Sequence, residues 1–343
     1  MKLIDLKNIK FPTKKDEDFR KINLNPILEK EFESFNEYRL NIEVQESSEL
    51  IDSTNELIKI NERLETKNYE LNIKEDTKEP IVIVHKLQDE NSINTNSLKI
   101  NVSKNIKASV IEVFVNEKEN NFYSVNREFN INENAHLEYL KIQDMSEKTS
   151  LILNYVNNLE DEASINHTNF EIGKGFALNI YDSNLKKENT KLNINGYVNL
   201  FEKANSSSIF NTTHIEKNNA SHIKYKHILH DNSKAVFEAM SKVNEKALYS
   251  KVHQNTDTIL LSDDATIFAK PHLEINIDEL EASHGATTGS LDQDQLLYLQ
   301  SRGIDEVLAK KMLLKAIENE ILDTILDLKV KDYVTNYERS SYV

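Results

Sequence analysis

The 343-residue chain has no cysteine, so it can build neither a disulfide framework nor a thiolate metal site from its own residues. Glycine (6) and proline (4) are scarce, which removes most of the usual punctuation for turns. Positive charge is in deficit: 42 Lys and Arg stand against 57 Asp and Glu, for a net charge of −15. That balance argues against a nucleic-acid partner and against docking on anionic lipid, and it favours solubility and partners with basic patches. No segment approaches the ~18 consecutive apolar residues of a membrane span. The first residues, MKLIDLKNIKFPTKKDEDF, are too charged to hold the apolar stretch of a signal peptide. The expectation is a cytoplasmic protein in a reducing compartment.

What is present supports a folded chain. Apolar residues make up 38%, and Ile, Leu and Val recur in every segment, so a buried core can form. Asparagine and lysine are abundant. The base composition of the coding DNA is a sufficient explanation, although Asn also tolerates the left-handed backbone conformation and can serve turns.

From Pro80 to Glu281 short runs of alternating apolar residues follow one another. Examples are Val110-Ile111-Glu112-Val113-Phe114-Val115, Leu192-Asn193-Ile194 and Leu273-Glu274-Ile275-Asn276-Ile277, each bounded by Asn, Asp, Ser or Lys clusters. About two hundred residues of such strands suggest a sandwich, a barrel or a solenoid. No strict repeat can be aligned by eye, and residues 38–75 do not decide between a strand pair and a short helix around Leu57, Ile58, Ile60 and Leu64. The end of the chain is helical. Asp292 suits an N-cap, Gly303 a turn and Asp305 a second N-cap. Leu308, Met312, Leu313, Ala316, Ile317, Ile321, Ile325 and Leu328 step by three or four, which predicts one helix over 305–328; beyond Lys329 no pattern remains, and a frayed end is expected.

Residues with chemistry to offer are few. His284, in Ser283-His284-Gly285-Ala286-Thr287, is singled out: imidazole suits iron and zinc, and Gly285 allows close backbone approach. A loop histidine satisfied by water is the alternative. His222, His227 and His230 do not have a metal spacing and read as outward polar positions, His272 as a strand surface residue, and His167 and His214 as isolated. Asp263-Asp264 reads as a turn, because neighbours on a strand face opposite ways. Gly173-Lys174-Gly175 is not a phosphate loop, and no nucleophile elbow or H-E-x-x-H pattern occurs.

Several ordered blocks resemble the SufB/SufD family of iron–sulfur cluster assembly proteins, and SufD in particular. They are Pro12 with Lys14-Lys15-Asp16-Glu17-Asp18-Phe19; Tyr225, Lys226, Asp231, Ser233, Val236 and Phe237; Gln254 to Asp264 followed by Lys270-Pro271-His272-Leu273-Glu274-Ile275; and Ser283 to Thr287 followed by Leu296-Leu297-Tyr298-Leu299 and Ser301-Arg302-Gly303-Ile304. Departures from the family pattern are Phe19 for Trp, and Ala239 and Glu62 for glycines.

The resemblance implies a mainly β fold: a right-handed parallel β-helix over 80–281, an N-terminal α/β segment over 1–79 with a small helical part, a C-terminal helical domain over 282–330 and a tail over 331–343. It implies a non-catalytic scaffold that pairs with SufB and binds the ATPase SufC. His284 would be a candidate ligand for a nascent iron–sulfur cluster shared transiently with SufB, whose cysteines would supply the sulfur ligands. Leu297, Tyr298, Arg302, Leu308 and Met312 are the candidate partner-binding residues. Whether a flavin joins the assembly is left open. Two rivals remain: a β-helical carbohydrate-active lyase or hydrolase, and a homodimer that acts without SufB.

Overall fold

The computed structural model describes residues 1–86, 89–115 and 120–337. Short elements come first. A 3-10 turn, Glu17–Phe19, follows Thr13, whose N–H and hydroxyl both donate to Asp16. Next come α1 (Asn25–Leu28), β1 (Ser34–Glu37), β2 (Gln45–Ser47), α2 (Lys59–Arg63) and β3 (Asn68–Ile73). Leu57, Ile58 and Ile60, ambiguous in sequence, lie on the short helical stretch that ends in α2, and all three are buried.

Fifteen further strands alternate between two sheets. They are β4 (Ile81–Lys86), β5 (Ser92–Val102), β6 (Lys107–Val115), β7 (Phe122–Ile131), β8 (His136–Met145), β9 (Ser150–Leu159), β10 (Ser164–Gly173) and β11 (Phe176–Leu185). Then follow β12 (Lys191–Leu200), β13 (Asn205–His214), β14 (Ala220–Leu229), β15 (Lys234–Val243), β16 (Lys251–Leu260), β17 (Thr266–Ile275) and β18 (Glu281–Gly289). One sheet runs β17-β15-β13-β11-β9-β7-β5-β3-β2, and the other β18-β16-β14-β12-β10-β8-β6-β4. From β3 onward all pairings are parallel between strands two apart in sequence, which makes a parallel β-helix of about 7 turns. The expected fold class is therefore found.

The repeat is inexact. Ser164 pairs with Lys191, 27 residues on, whereas Ala220 pairs with Lys251, 31 residues on. What recurs is the corner. Asn105, Asn134, Glu162, Asn189, Asn218 and Tyr249 all have positive φ and occupy the same corner of successive coils. Asparagine thus does the work usually given to glycine. Its side chains also form ladders: Asn158 Nδ2 donates to Asn130 at 3.0 Å, Asn130 to Asn101 at 2.8 Å, and Asn101 to Asn72 at 2.8 Å. Two of the few glycines answer close packing. A Cβ on Gly173 or Gly175 would collide with backbone atoms of Met145 or Thr149 in the preceding coil, and Gly173 has φ +131.

Both outer faces are covered over much of their length, which is why strands such as β9 and β10 are buried on both sides. Leu3, Ile22, Leu24, Ile27, Leu28 and Phe32 of the N-terminal segment lie over Ile93, Phe122, Ile152 and Leu178 of the first sheet. The other sheet carries α4 (Glu306–Leu322) and α5 (Leu328–Asn336), and α3 (Gln293–Ser301) packs against α4. Ile321, Leu322, Ile325, Val330 and Val334 pack there on Ile111, Leu140, Ile142 and Phe170. Asp292 and Asp305 cap α3 and α4 through their side chains, as their spacing predicts.

The single helix expected over 305–328 is in fact two, because the chain turns at Asp323–Asp327 and Asp327 caps α5. The frayed end expected beyond Lys329 is corrected as far as Asn336: Val330 and Val334, four residues apart, are both fully buried on the sheet and hold the helix there. Residues 338–343 of that expected tail lie outside the described residues. Among the described residues no helix is long and apolar enough to cross a membrane.

Candidate functional site: the open end of the solenoid

The two ends of the solenoid differ. At the first coil Tyr38, Leu40, Ile42 and Val44 fold across the opening and pack against the interior core. The free edge of β4 is blunted by a side chain acting as a false strand: Asn41 Nδ2 donates to the Val82 carbonyl at 2.9 Å, and its Oδ1 accepts from Val84 N–H at 2.8 Å. Exposed edges invite pairing, and such a cap suppresses it.

The last coil has no equivalent. β17 pairs with β15 alone and β18 with β16 alone, so each presents one free edge among the described residues. Pro271 lies on β17, where an edge strand tolerates a missing N–H. The inner side of this coil is apolar on β17, where Ile267 and Leu273 pack on the core and Ile275 is exposed.

His284 is on β18, not in a loop. Ser283 bonds His253 at 2.7 Å and Thr287 donates to Asp257 at 2.6 Å on the outer face. Strand alternation therefore turns Ala282 and His284 to the inner side, and Ala282 does pack in the interior cluster with Val243 and Val252. His284 pairs in register with Gln254, whose side chain is buried and donates to Ser241 Oγ at 2.7 Å. Among the described residues no later coil covers β18, and His284 is exposed. Gly285 has an ordinary extended backbone; a Cβ there would meet only Asn255 Oδ1, at 3.3 Å.

Among the described residues no group of three or more His, Asp or Glu is arranged to hold a metal ion. His284 alone cannot, so a cluster at this end would need ligands from another chain.

The other histidines sort by face. His222 and His230 are outward or at a corner, as expected, but His227 is corrected: it is 2% exposed, faces the interior and bonds Thr256 at 3.2 Å. Burial pushes its pKa down to about 3. His167 and His214 are also interior and neutral, His167 among the rings of Tyr139, Tyr155 and Tyr181. Asp263 and Asp264 do sit in a turn, between β16 and β17.

The interior holds a charged group that the sequence alone does not single out. Glu112 accepts from Arg127 Nη2 at 2.5 Å and from the Tyr139 hydroxyl and bonds His85, all four residues being fully buried or nearly so. Burial pushes the Glu112 carboxyl up, but Arg127 and then His85 outweigh it and hold it well below the usual carboxylate range. The only signal in the sequence is an alternation that puts Glu112 and Arg127 at positions otherwise apolar.

On the helical face, Leu297 and Tyr298 are 60% and 58% exposed, and Leu308 and Met312 are 47% and 44% exposed. Arg302 stacks over the Tyr298 ring at 5.0 Å. Val307, at 78%, is a more exposed apolar residue than any of those singled out from the sequence.

The ordered motifs converge in space. Lys270 Nζ of β17 pairs with Glu17 of the N-terminal block at 2.7 Å and with Glu238 at 2.9 Å, and Lys21 lies over the Phe268 ring at 4.5 Å. The N-terminal segment is thus tied to the last coil.

Comparison with known proteins agrees with that arrangement. The profile of the family described as SUF system FeS cluster assembly, SufBD core domain, matches residues 85–317. The chain is similar to the iron–sulfur cluster assembly protein SufD of Escherichia coli, with 28% identity over 207 residues, 58% of this chain and 47% of that protein. It is similar to Protein ABCI7, chloroplastic, of Arabidopsis thaliana, with 34% identity over 110 residues, 32% of this chain and 23% of the relative. Bacillus subtilis SufD is 28% identical over 130 residues, 34% of this chain and 30% of its own. The matches thus span less than half the length of these relatives. With that profile spanning most of its solenoid, the chain belongs to the SufB/SufD family and is SufD-like.

Proposed function

We propose that this chain is a scaffold subunit in iron–sulfur cluster assembly. Through the open end of its solenoid it pairs with a cysteine-bearing SufB-type sister subunit, and through α3 and α4 it docks the ATPase SufC. The cluster is cargo. Thiolates come from the sister subunit, and His284 is offered from this side of the junction. The observation that carries the reading is the asymmetry of the solenoid: one end plugged and edge-blocked, the other open, with the His284 motif on its last strand. The absence of cysteine suits the SufD role and not the SufB role. A location in the cytoplasm is part of the proposal.

Co-expression with SufB and SufC tests it. A complex of the three, with iron and acid-labile sulfide above the level of SufB and SufC alone, is the expected result. A well-folded chain that copurifies with neither would refute the reading. Leu308→Asp with Met312→Asp should release SufC and leave the SufB pairing intact.

A further inference from the structure

We infer that the open end selects its partner by charge: its two corners repel a second copy of this chain and fit a solenoid end whose corners carry lysine or arginine. The inference rests on the pairing proposed above.

The last coil turns twice. The β16–β17 turn carries Asp263 and Asp264, and the β17–β18 turn carries Asp278 and Glu279; all four are exposed. Among the described residues, none has a basic partner within 4.0 Å. The coil's other carboxylates are already neutralised. Glu274 pairs with Lys242 at 2.6 Å, and Glu281 with Lys251 at 3.1 Å. Lys270, the only basic residue between Leu261 and Ser290 apart from histidine, is held by Glu17 and Glu238. Both corners therefore present carboxylates that no lysine or arginine of the described residues pairs with.

Between the corners lies the surface to be covered: the free edges of β17 and β18, and inner-face residues Ile267, Leu273 and Ile275. Directly beneath β18, Gln254 Oε1 and Thr258 Oγ1 are buried without a hydrogen-bond partner, at the positions paired with His284 and Thr288. Unpaired buried polar atoms also occur in earlier coils, at Asn96, Ser207 and Ser233 for example, so it is the free edges of β17 and β18 that mark the open end.

Symmetry makes the charge argument independent of the docking angle. A pair of identical copies joined end to end is two-fold. Each corner then meets either its own equivalent or the other corner. Both are acidic, so every self-pairing sets carboxylates against carboxylates. A partner with basic corners has no such conflict, and repulsion against the wrong partner is a recognised source of specificity.

The test uses the full chain in sedimentation equilibrium, with hydrogen exchange to locate the contact. The probes are wild type, the neutral variant Asp263→Asn/Asp264→Asn/Asp278→Asn/Glu279→Gln, and a variant with lysine at the same four positions. All changes are on exposed turns, where folding tolerates them. At low salt the neutral variant should self-associate about tenfold more tightly than wild type. Wild-type self-association should strengthen as salt rises past the point where the screening length falls below about 8 Å. A mixture of wild type and the lysine variant should pair more tightly than either alone, lose that advantage in salt, and protect the β17 and β18 amides. Association that protects β17 and β18 equally in all forms and at all salt concentrations would overturn selection by charge and leave the pairing in place. No protection of these strands in any mixture would overturn both.

Discussion

Replacing Arg127 by methionine tests the internal architecture. Met follows the path of the Arg stem but removes the guanidinium, leaving Glu112 ionised in the solenoid interior with only His85 and the Tyr139 hydroxyl beside it. Breaking one side of a buried ion pair costs about 3–5 kcal/mol, because the remaining charge is stranded away from water. Unfolding entropy near 2.1 cal/mol/K per residue, taken over 343 residues, makes that loss a fall of roughly 4–7 °C in Tm. The double variant Arg127→Met/Glu112→Gln removes the stranded charge and should recover most of the difference. Acid adds a second reading. Glu112 is ionised in the folded chain well below its ordinary value of 4.5, so the stability it contributes is present above that value and is lost as pH falls below it. Glu112→Gln should therefore lose less stability than wild type on acidification below about pH 4.5. Scanning calorimetry of the three variants decides the matter. A Tm for Arg127→Met within a degree of wild type, or a double variant no better than the single, would refute the reasoning.

Other expectations follow from single contacts. A Cβ on Gly196 would fall within 3.0 Å of the Tyr225 ring, so Gly196→Ala should cost about 1–3 kcal/mol in urea unfolding, whereas Gly285→Ala, which meets only Asn255 Oδ1, should change stability by less than about 0.5 kcal/mol. Val334→Ala removes buried methyl groups from α5, costing about 1–2 kcal/mol, and hydrogen exchange should rise across 328–336 first. His227 is neutral in the folded chain down to about pH 3, while an unfolded histidine takes a proton near 6.5; its contribution is whole above pH 6.5 and shrinks as pH falls towards 3. Wild type should accordingly lose about 2–3 kcal/mol more than His227→Gln between pH 6.5 and 4.5, read by urea unfolding at each pH.

The sequence shows the strands, the helix caps at Asp292 and Asp305, and the family motifs, because each depends on residues near one another in the chain. The coil period is harder to see. It drifts between 26 and 32 residues, and its marker is a backbone conformation that Asn105 and Asn134 share with Glu162 and Tyr249. Composition alone explains abundant asparagine, yet much of it is structural here, at corners and in ladders. The covering of both sheet faces is likewise hidden. Long runs buried on both sides, as in β9 and β10, carry the signal, but only three-dimensional packing shows that the N-terminal segment lies on one sheet and α4 and α5 on the other.

The candidate site was half legible. His284 and its motif stand out in sequence. That the motif lies on the last strand of an uncapped solenoid does not follow from spacing, nor does the tie between Glu17 and Lys270 across 253 residues. The sequence places His227 among outward positions because alternation gives two faces without saying which is inside.

The central claim is that a chain without thiols contributes an imidazole, at the open end of its solenoid, to a cluster whose sulfur ligands belong to a sister subunit. The most direct measurement is the iron and acid-labile sulfide bound per assembled SufB–SufC complex carrying either wild type or His284→Ala. The side chain is exposed, so stability and assembly should be unchanged to within about 0.5 kcal/mol. The account predicts an intact complex holding less iron and sulfide with His284→Ala; equal content in the two complexes would contradict it.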